Sequence, residues 1–416
     1  MSVRPRAFYW NNIPSPYLVG RLNAVADRGN IGLEAWFNQR READRSWDVT
    51  EIDWRFPARF IPEIMIRGKR LYLPCPELRE TQPDLLISLY GDPSFSAGSS
   101  VAQHYVRRHA FRVLPTFDSW NARSPVKELA KHLLFRSVDG VKVPGPDGQA
   151  QARSYGMPDE RISAVTQSID LEHYQEARRV APGVRTMERQ RLGLQGCVFI
   201  YVGRLWQGKG LDHLFDAYTQ VRAERPDVSL LLVGDGVDEA RYRERALTVP
   251  GVVVHGFVQP ADLPPVYALA DVMVFPTLGD PYGLVVEEAM AAGLPVITTR
   301  AAGDITRRLP DDEAGYIVPP ANAAVLAERM TRLAEDPARR QRMGAVGSCL
   351  VTDRAHDNYA VDFERFVERT LALPRRRSAA RVALTAAGRV VERMVPERPI
   401  APLVGFSPRR REQGDR

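Results

Sequence analysis

The chain has 416 residues, 44% apolar and 8% aromatic, which is enough to bury the cores of two domains and too apolar for a disordered chain. Its formal charge of +6 is uneven: residues 374–416 hold 11 arginines against 4 acids, so the first 373 residues are nearly neutral and a nucleic-acid-binding body is not expected. No apolar run approaches the roughly 18 residues that cross a bilayer. The amino terminus lacks a signal-peptide pattern, and Cys75, Cys197 and Cys349 are too scattered for a disulfide framework or a zinc site, so a cytoplasmic protein is expected.

In chain order, "RAFYW" is a candidate strand and "SPYLVGRLNAVADRG" a candidate helix, with serine placed to cap it and proline at its first position. The strands "IGLEAWF", "PDLLISLYG" and "FRVLPTFD" follow, then the helix "SPVKELAKHLLFRSV" and the strand "GVKVPGP". The stretch 176–196 is charged and poorly periodic, as a linker is. Beyond it the alternation is regular. "CVFIYVG", "VSLLLVGDG", "GVVVHGF", "DVMVFP" and "LPVITT" are continuous apolar strands separated by helical patterns, which predicts parallel strands covered on both faces.

Helical periodicity returns over 321–335 and 356–373. The expected organisation is an α/β domain over 1–175, a linker over 176–196, and a second α/β domain over 197–355. A closing helix over 356–373 and a basic tail over 374–416, amphipathic or disordered, complete the chain. In the tail, "AARVALTAAGRVVERMV" sets Ala380, Leu384, Ala387 and Val391 on one side at helical spacing, a pattern suited to peripheral contact with an anionic membrane.

Two constellations carry chemistry. "YVGRLWQGKG" lies where a strand ends and a helix begins. Gly203 permits a tight turn, Gly208 and Gly210 let amides approach a ligand, and Arg204 and Lys209 bring cations to the helix amino end, a combination that suits a diphosphate. It is neither a Walker loop nor a dinucleotide fingerprint. "GDPYGLVVEEAMAAGLPV" places Asp280 in a loop and Glu288 on the helix that follows. The two acids can then hold a sugar and a ribose, with the amides of Tyr282, Gly283 and Leu284 between them.

Together "GRLWQGKG", "VGDG", "VVVHGFVQPADLPPVYALADVMVFPT" and "GDPYGLVVEEAMAAGLPVI" resemble the retaining nucleotide-sugar glycosyltransferases of the family-four, or glycosyl transferases group 1, type over about residues 197–350. The resemblance implies a GT-B fold, two Rossmann-like doubly wound domains facing across a cleft, the domain over 1–175 binding the acceptor and the domain over 197–355 the nucleotide sugar. It maps the family's paired acids onto Asp280 and Glu288, its diphosphate-binding pair onto Arg204 and Lys209, and its base-contacting segment onto Gly256, Phe257 and Val258. The implied donor is a UDP-, GDP- or ADP-sugar, and the acceptor a glycan, a lipid-linked sugar or a small molecule.

The sequence departs from the family at Asp280, where glutamate is usual. It departs again in the first half, where "NNIPSPYLVGR" has no glycine pair and "LPTFDSW" has no histidine, leaving Asn11 and Asp118 as the nearest polar candidates on the acceptor side. No Asp-x-Asp occurs, so the expected chemistry uses no metal and no cofactor: Arg204, Lys209 and the helix terminus stabilise the departing diphosphate, whose oxygen accepts the acceptor's proton. A non-catalytic nucleotide-sugar-binding protein of the same fold is the alternative. A glycosidase would also use paired acids, but it leaves the loop from Gly203 to Gly210 unexplained.

Overall fold

The short apolar runs become two parallel sheets. In the computed structural model, which describes residues 4–42, 46–50, 53–66, 69–90, 98, 102–113, 125–393 and 398–404, the first half supplies β1 (Arg6–Asn11), β2 (Gly32–Phe37) and β3 (Ala58–Phe60). A separate antiparallel hairpin follows, β4 (Glu63–Ile66) with β5 (Lys69–Tyr72), and then β6 (Leu85–Leu89), β7 (Arg108–Arg112), β8 (Gly140–Val143) and β9 (Ile162–Ala164). The second half supplies β10 (Cys197–Val202), β11 (Val228–Val233), β12 (Val252–Gly256), β13 (Val272–Phe275), β14 (Val296–Thr299) and β15 (Gly315–Val318), while β16 (Leu403–Val404) returns to the first sheet.

The orders are β16-β3-β2-β1-β6-β7-β8-β9 and β12-β11-β10-β13-β14-β15. Each sheet starts at its centre, runs outward, and then reverses on the other side of its first strand. The reversal falls between β1 and β6 in one sheet and between β10 and β13 in the other. A crevice opens at the carboxyl ends of the strands at such a point. β10 and β11 are buried at every position because helices cover both faces. Helix Pro16–Arg28 begins as its sequence predicts: the Ser15 hydroxyl accepts from the Leu18 amide at 3.3 Å, and Pro16 opens the first turn.

Two segments differ from expectation. Residues 176–196 contain a short 3-10 turn (Glu176–Arg179) and a helix (Pro182–Arg191). Their charge is structural: Arg185 and Arg189, one helical turn apart, both grip Asp271 at 2.7 and 2.8 Å, and Asp271 also accepts the Val198 amide.

The basic tail is likewise built into the first domain over its described residues. Helix Ala379–Arg393 packs on helix Pro125–Ser137, and Arg381 reaches the fully buried Asp139 at 2.8 Å. Arg398 makes two bonds to Glu77, itself 0% exposed, at 2.7 and 3.0 Å, and β16 pairs with β3. These partners lie far back in the chain, so the net charge of the tail signalled solvation where the fold uses ion pairs. On the same helix Arg381 is buried, whereas Val382 and Val390 face outward. Among the described residues no helix is long and apolar enough to cross a membrane.

The chain crosses between the domains twice, side by side. Ile169, on the way out, bridges to Ala355, on the way back, and donates its amide to the Arg354 carbonyl at 3.0 Å. Helix His356–Ala372 then packs on helix Pro16–Arg28, with Tyr359, Phe363 and Phe366 in the first domain's core and Arg28 clasping Glu364 at 2.9 Å.

Candidate functional site

Between the two sets of strand ends lies a cavity of about 510 Å³ lined from both domains. On the carboxy-terminal side, Gly203 and Arg204 follow β10, and Lys209 comes just before helix Leu211–Glu224. The loop is held tightly in place. Gly210 has φ +72°, and a Cβ there would stand 2.0 Å from the Pro276 carbonyl, so the loop lies directly on the end of β13. At Gly234, after β11, a Cβ would stand 1.9 Å from the Gly203 carbonyl. Trp206 folds back with its ring against Gly208 and 5.4 Å from the Arg204 guanidinium, a packing role.

Asp280 stands in the loop that bridges to Ala302. Its Oδ2 accepts from Lys209 Nζ at 2.5 Å, and its Oδ1 accepts from the Tyr282 amide at 2.8 Å. The Tyr282 amide, expected to point at a ligand, is therefore engaged by Asp280. Arg308, which the sequence reading did not single out, fixes the same loop. It pairs with Glu287, donates to the Tyr282 carbonyl, and lies 4.0 Å from the centre of the Tyr282 ring. Tyr282, Gly283 and Leu284 line the cavity, as do Phe257 and Val258 beyond β12. Gly256 lies behind them, its carbonyl accepting from the Gly234 amide at 2.8 Å.

Glu288 is placed differently from the expectation that both acids face the ligand. It sits one turn into helix Val285–Ala291, is 0% exposed, and does not line the cavity. Tyr267 donates to its Oε2 at 2.8 Å, while Oε1 has no hydrogen-bond partner. Burial pushes its pKa up to about 7, against the opposing pull of the Tyr267, Tyr17 and Tyr174 hydroxyls. Tyr17 comes from the first domain and also lines the cavity, so it stands between the opening and Glu288.

The amino-terminal wall was largely missed by sequence reasoning. Besides Tyr17 it presents Arg21, Arg112, Gln167, Ser46 and Trp47. Asn11 is 8% exposed and holds Arg112, accepting from its Nη1 at 3.2 Å. Asp118 lies outside the described residues. The segment with Ser46 crosses to the other domain: the Asp48 amide donates to Gln259 Oε1, and Gln259 Nε2 donates to the Ser46 carbonyl, each at 3.1 Å.

Residues 196–336 match the family model described as Glycosyl transferases group 1. The chain is 29% identical over 200 residues to mannosylfructose-phosphate synthase of Agrobacterium fabrum, covering 45% of this chain and 43% of that protein. It is 31% identical over 234 residues to D-inositol 3-phosphate glycosyltransferase of Pseudarthrobacter chlorophenolicus, covering 52% and 53%. The matches thus span about half the length of these relatives. The structure superposes on Anabaena HepE in complex with UDP-glucose with a TM-score of 0.71 at 18% identity, covering 88% of this chain and 100% of that one. The two facing sheets are those of the GT-B fold.

Proposed function

From a chain whose residues 196–336 belong to the glycosyl transferases group 1 family, we infer a glycosyltransferase that moves a sugar from a nucleoside diphosphate sugar to an acceptor hydroxyl. The observation that carries this reading is the Lys209–Asp280 pair, held at 2.5 Å at the switch point between β10 and β13 and open to the cleft beside Arg204. An ammonium has three donors, so Lys209 can keep Asp280 and still meet a phosphate oxygen.

Breaking the bond to the anomeric carbon leaves negative charge on the diphosphate, and Arg204, Lys209 and the start of helix Leu211–Glu224 stand where they stabilise it. Asp280 takes sugar hydroxyls, Phe257 and Val258 meet the base, and Glu288 takes the ribose once Tyr17 withdraws. In this reading the cations serve in place of a metal and the configuration is retained, with the leaving diphosphate accepting the acceptor's proton. Peripheral contact with an anionic membrane, if it is made by the tail helix, narrows to its outward Val382 and Val390.

UDP-glucose is the first donor to try, since HepE binds it in the same fold. The test is thermal unfolding with UDP-, GDP- and ADP-sugars, without added metal. A ligand at a hundred times its dissociation constant adds roughly 2.7 kcal/mol, a shift of a few degrees. A shift with one donor that is lost in Lys209→Ala supports the reading, and no shift with any donor overturns it. Binding without hydrolysis or transfer to any acceptor would identify the non-catalytic alternative.

A further inference from the structure

Four arginines are deeply buried among the described residues: Arg21, Arg59, Arg308 and Arg381. Three have a carboxylate. Arg59 meets Glu34 at 2.8 Å, Arg381 meets Asp139 at 2.8 Å, and Arg308 pairs with Glu287. Arg21, 4% exposed, has none. Its side chain donates to Gln167 Oε1, and its buried Nε has no hydrogen-bond partner.

Two further cations stand with it. Arg112, at the end of β7, has the Asn11 amide oxygen at 3.2 Å. Lys142, on β8 and 2% exposed, lies 4.8 Å from the centre of the Tyr359 ring, over which Arg21 also lies at 5.5 Å. Neither makes an ion pair among the described residues. The charges acting on Lys142 are those of Arg112 and Arg21, which add to burial in holding its pKa well below the ordinary lysine value. Burial also lowers that of Arg21, with Arg112 pushing the same way.

Burying like charges together without a counter-ion is strongly unfavourable. A fold that pairs its other buried arginines and leaves this group bare has put the missing negative charge on something that binds. The position identifies it. Arg21 and Arg112 line the same cavity as Asp280 and Tyr282. Arg21 and Arg112 therefore face the loop of Asp280 and Tyr282 from the opposite wall, where the acceptor is expected, with Lys142 buried beside Arg112 across β7 and β8, while Arg204 and Lys209 stand on the near wall.

We propose that Arg21, Arg112 and Lys142 form a subsite for a phosphate monoester carried by the acceptor. The two guanidinium forks match the two charges of such a dianion, whose negative charge in turn favours the protonated form of Lys142. This deepens the glycosyltransferase reading and rests on it for the word acceptor.

The test is calorimetric titration of the protein with inorganic phosphate and with glucose 6-phosphate, in the presence of saturating UDP so that the donor phosphates are blocked. One phosphate is expected to bind per chain, glucose 6-phosphate is expected to bind where glucose does not, and Arg112→Gln and Lys142→Met are each expected to weaken binding at least tenfold with UDP affinity unchanged. Without ligand, Lys142→Met should raise the unfolding temperature, because it removes a buried amine that has no acidic partner and keeps most of the side-chain volume.

Absence of phosphate binding, or binding equal in the variants, overturns the proposal. Loss of UDP affinity in the variants overturns it as well, by assigning the cations to the donor. If UDP fails to bind the wild type, the donor reading falls, while the phosphate titration of wild type against variants still decides the subsite.

Discussion

The two walls of the cleft handle charge in opposite ways. On the carboxy-terminal wall, Lys209 is matched by Asp280 and Arg308 by Glu287. On the amino-terminal wall, Arg21 and Arg112 meet amide oxygens, and Lys142, the neighbour of Arg112 across β7 and β8, lies over the Tyr359 ring. A neutral pair welcomes a ligand that brings both hydroxyls and phosphates, because each partner finds a new contact without leaving a bare charge behind. A bare set of cations accepts only a ligand of net negative charge, so the second wall discriminates more sharply than the first.

The contrast weakens if the amino-terminal domain simply tolerates lone charges. Arg398→Ala asks this away from the cleft, since it leaves the fully buried Glu77 carboxylate with the Ala401 amide alone. We expect a loss of about 3–5 kcal/mol in urea unfolding, and a loss under about 1 kcal/mol would mean that the domain accepts unpaired charge. On the opposite wall, Lys209→Ala should lower kcat/KM with the stabilising sugar nucleotide by about 100- to 1000-fold. Activity within tenfold of the wild type would remove the near wall from catalysis.

Glu288 is the exception behind the near wall, a buried acid with tyrosines around it. Because the folded protein holds its proton up to about pH 7, folded molecules bind more protons than unfolded ones between the ordinary glutamate value and 7. Its contribution to stability is therefore lost as pH rises through that window, by up to about 3 kcal/mol. Denaturation of wild type and Glu288→Gln at pH 5 and pH 8 should show the variant gaining relative to the wild type at the higher pH, and parallel behaviour would contradict a raised pKa. The smallest effect is expected from Asp280→Glu. Its extra methylene displaces the contact with Lys209 and should change donor affinity by about 1 kcal/mol, read by titration with the donor.

The difference between the walls also explains what the sequence revealed. The near wall is written locally. β10 and β11 are unbroken apolar runs, and the loops after β10 and before helix Val285–Ala291 carry their glycines and charges within a few positions. The far wall is written across the chain, in a helix, the end of one strand and the middle of another.

Hints of the far wall were present. Lys142 interrupts the strand "GVKV", all of which is buried, and Arg21 lies on the same helix face as Leu18, Leu22 and Val25. Neither hint is decisive without the neighbours. β3 and β9, of three residues each, are too short to show periodicity. The concealment of Glu288 depends on Tyr17 from the other domain, a contact that no local window contains. The tail misled for the same reason, since the acids that answer Arg381 and Arg398 stand at positions 139 and 77.

The paired crossings at Ile169 and Ala355 carry one more consequence. A body joined to another by a single strand can twist and tumble, whereas one joined by two strands lying against each other swings like a leaf on a two-pin hinge. Any movement of one wall toward the other is then confined to fewer directions than a single crossing would allow. For the transfer proposed above, which brings one hydroxyl to one carbon, that restriction favours repeatable aim.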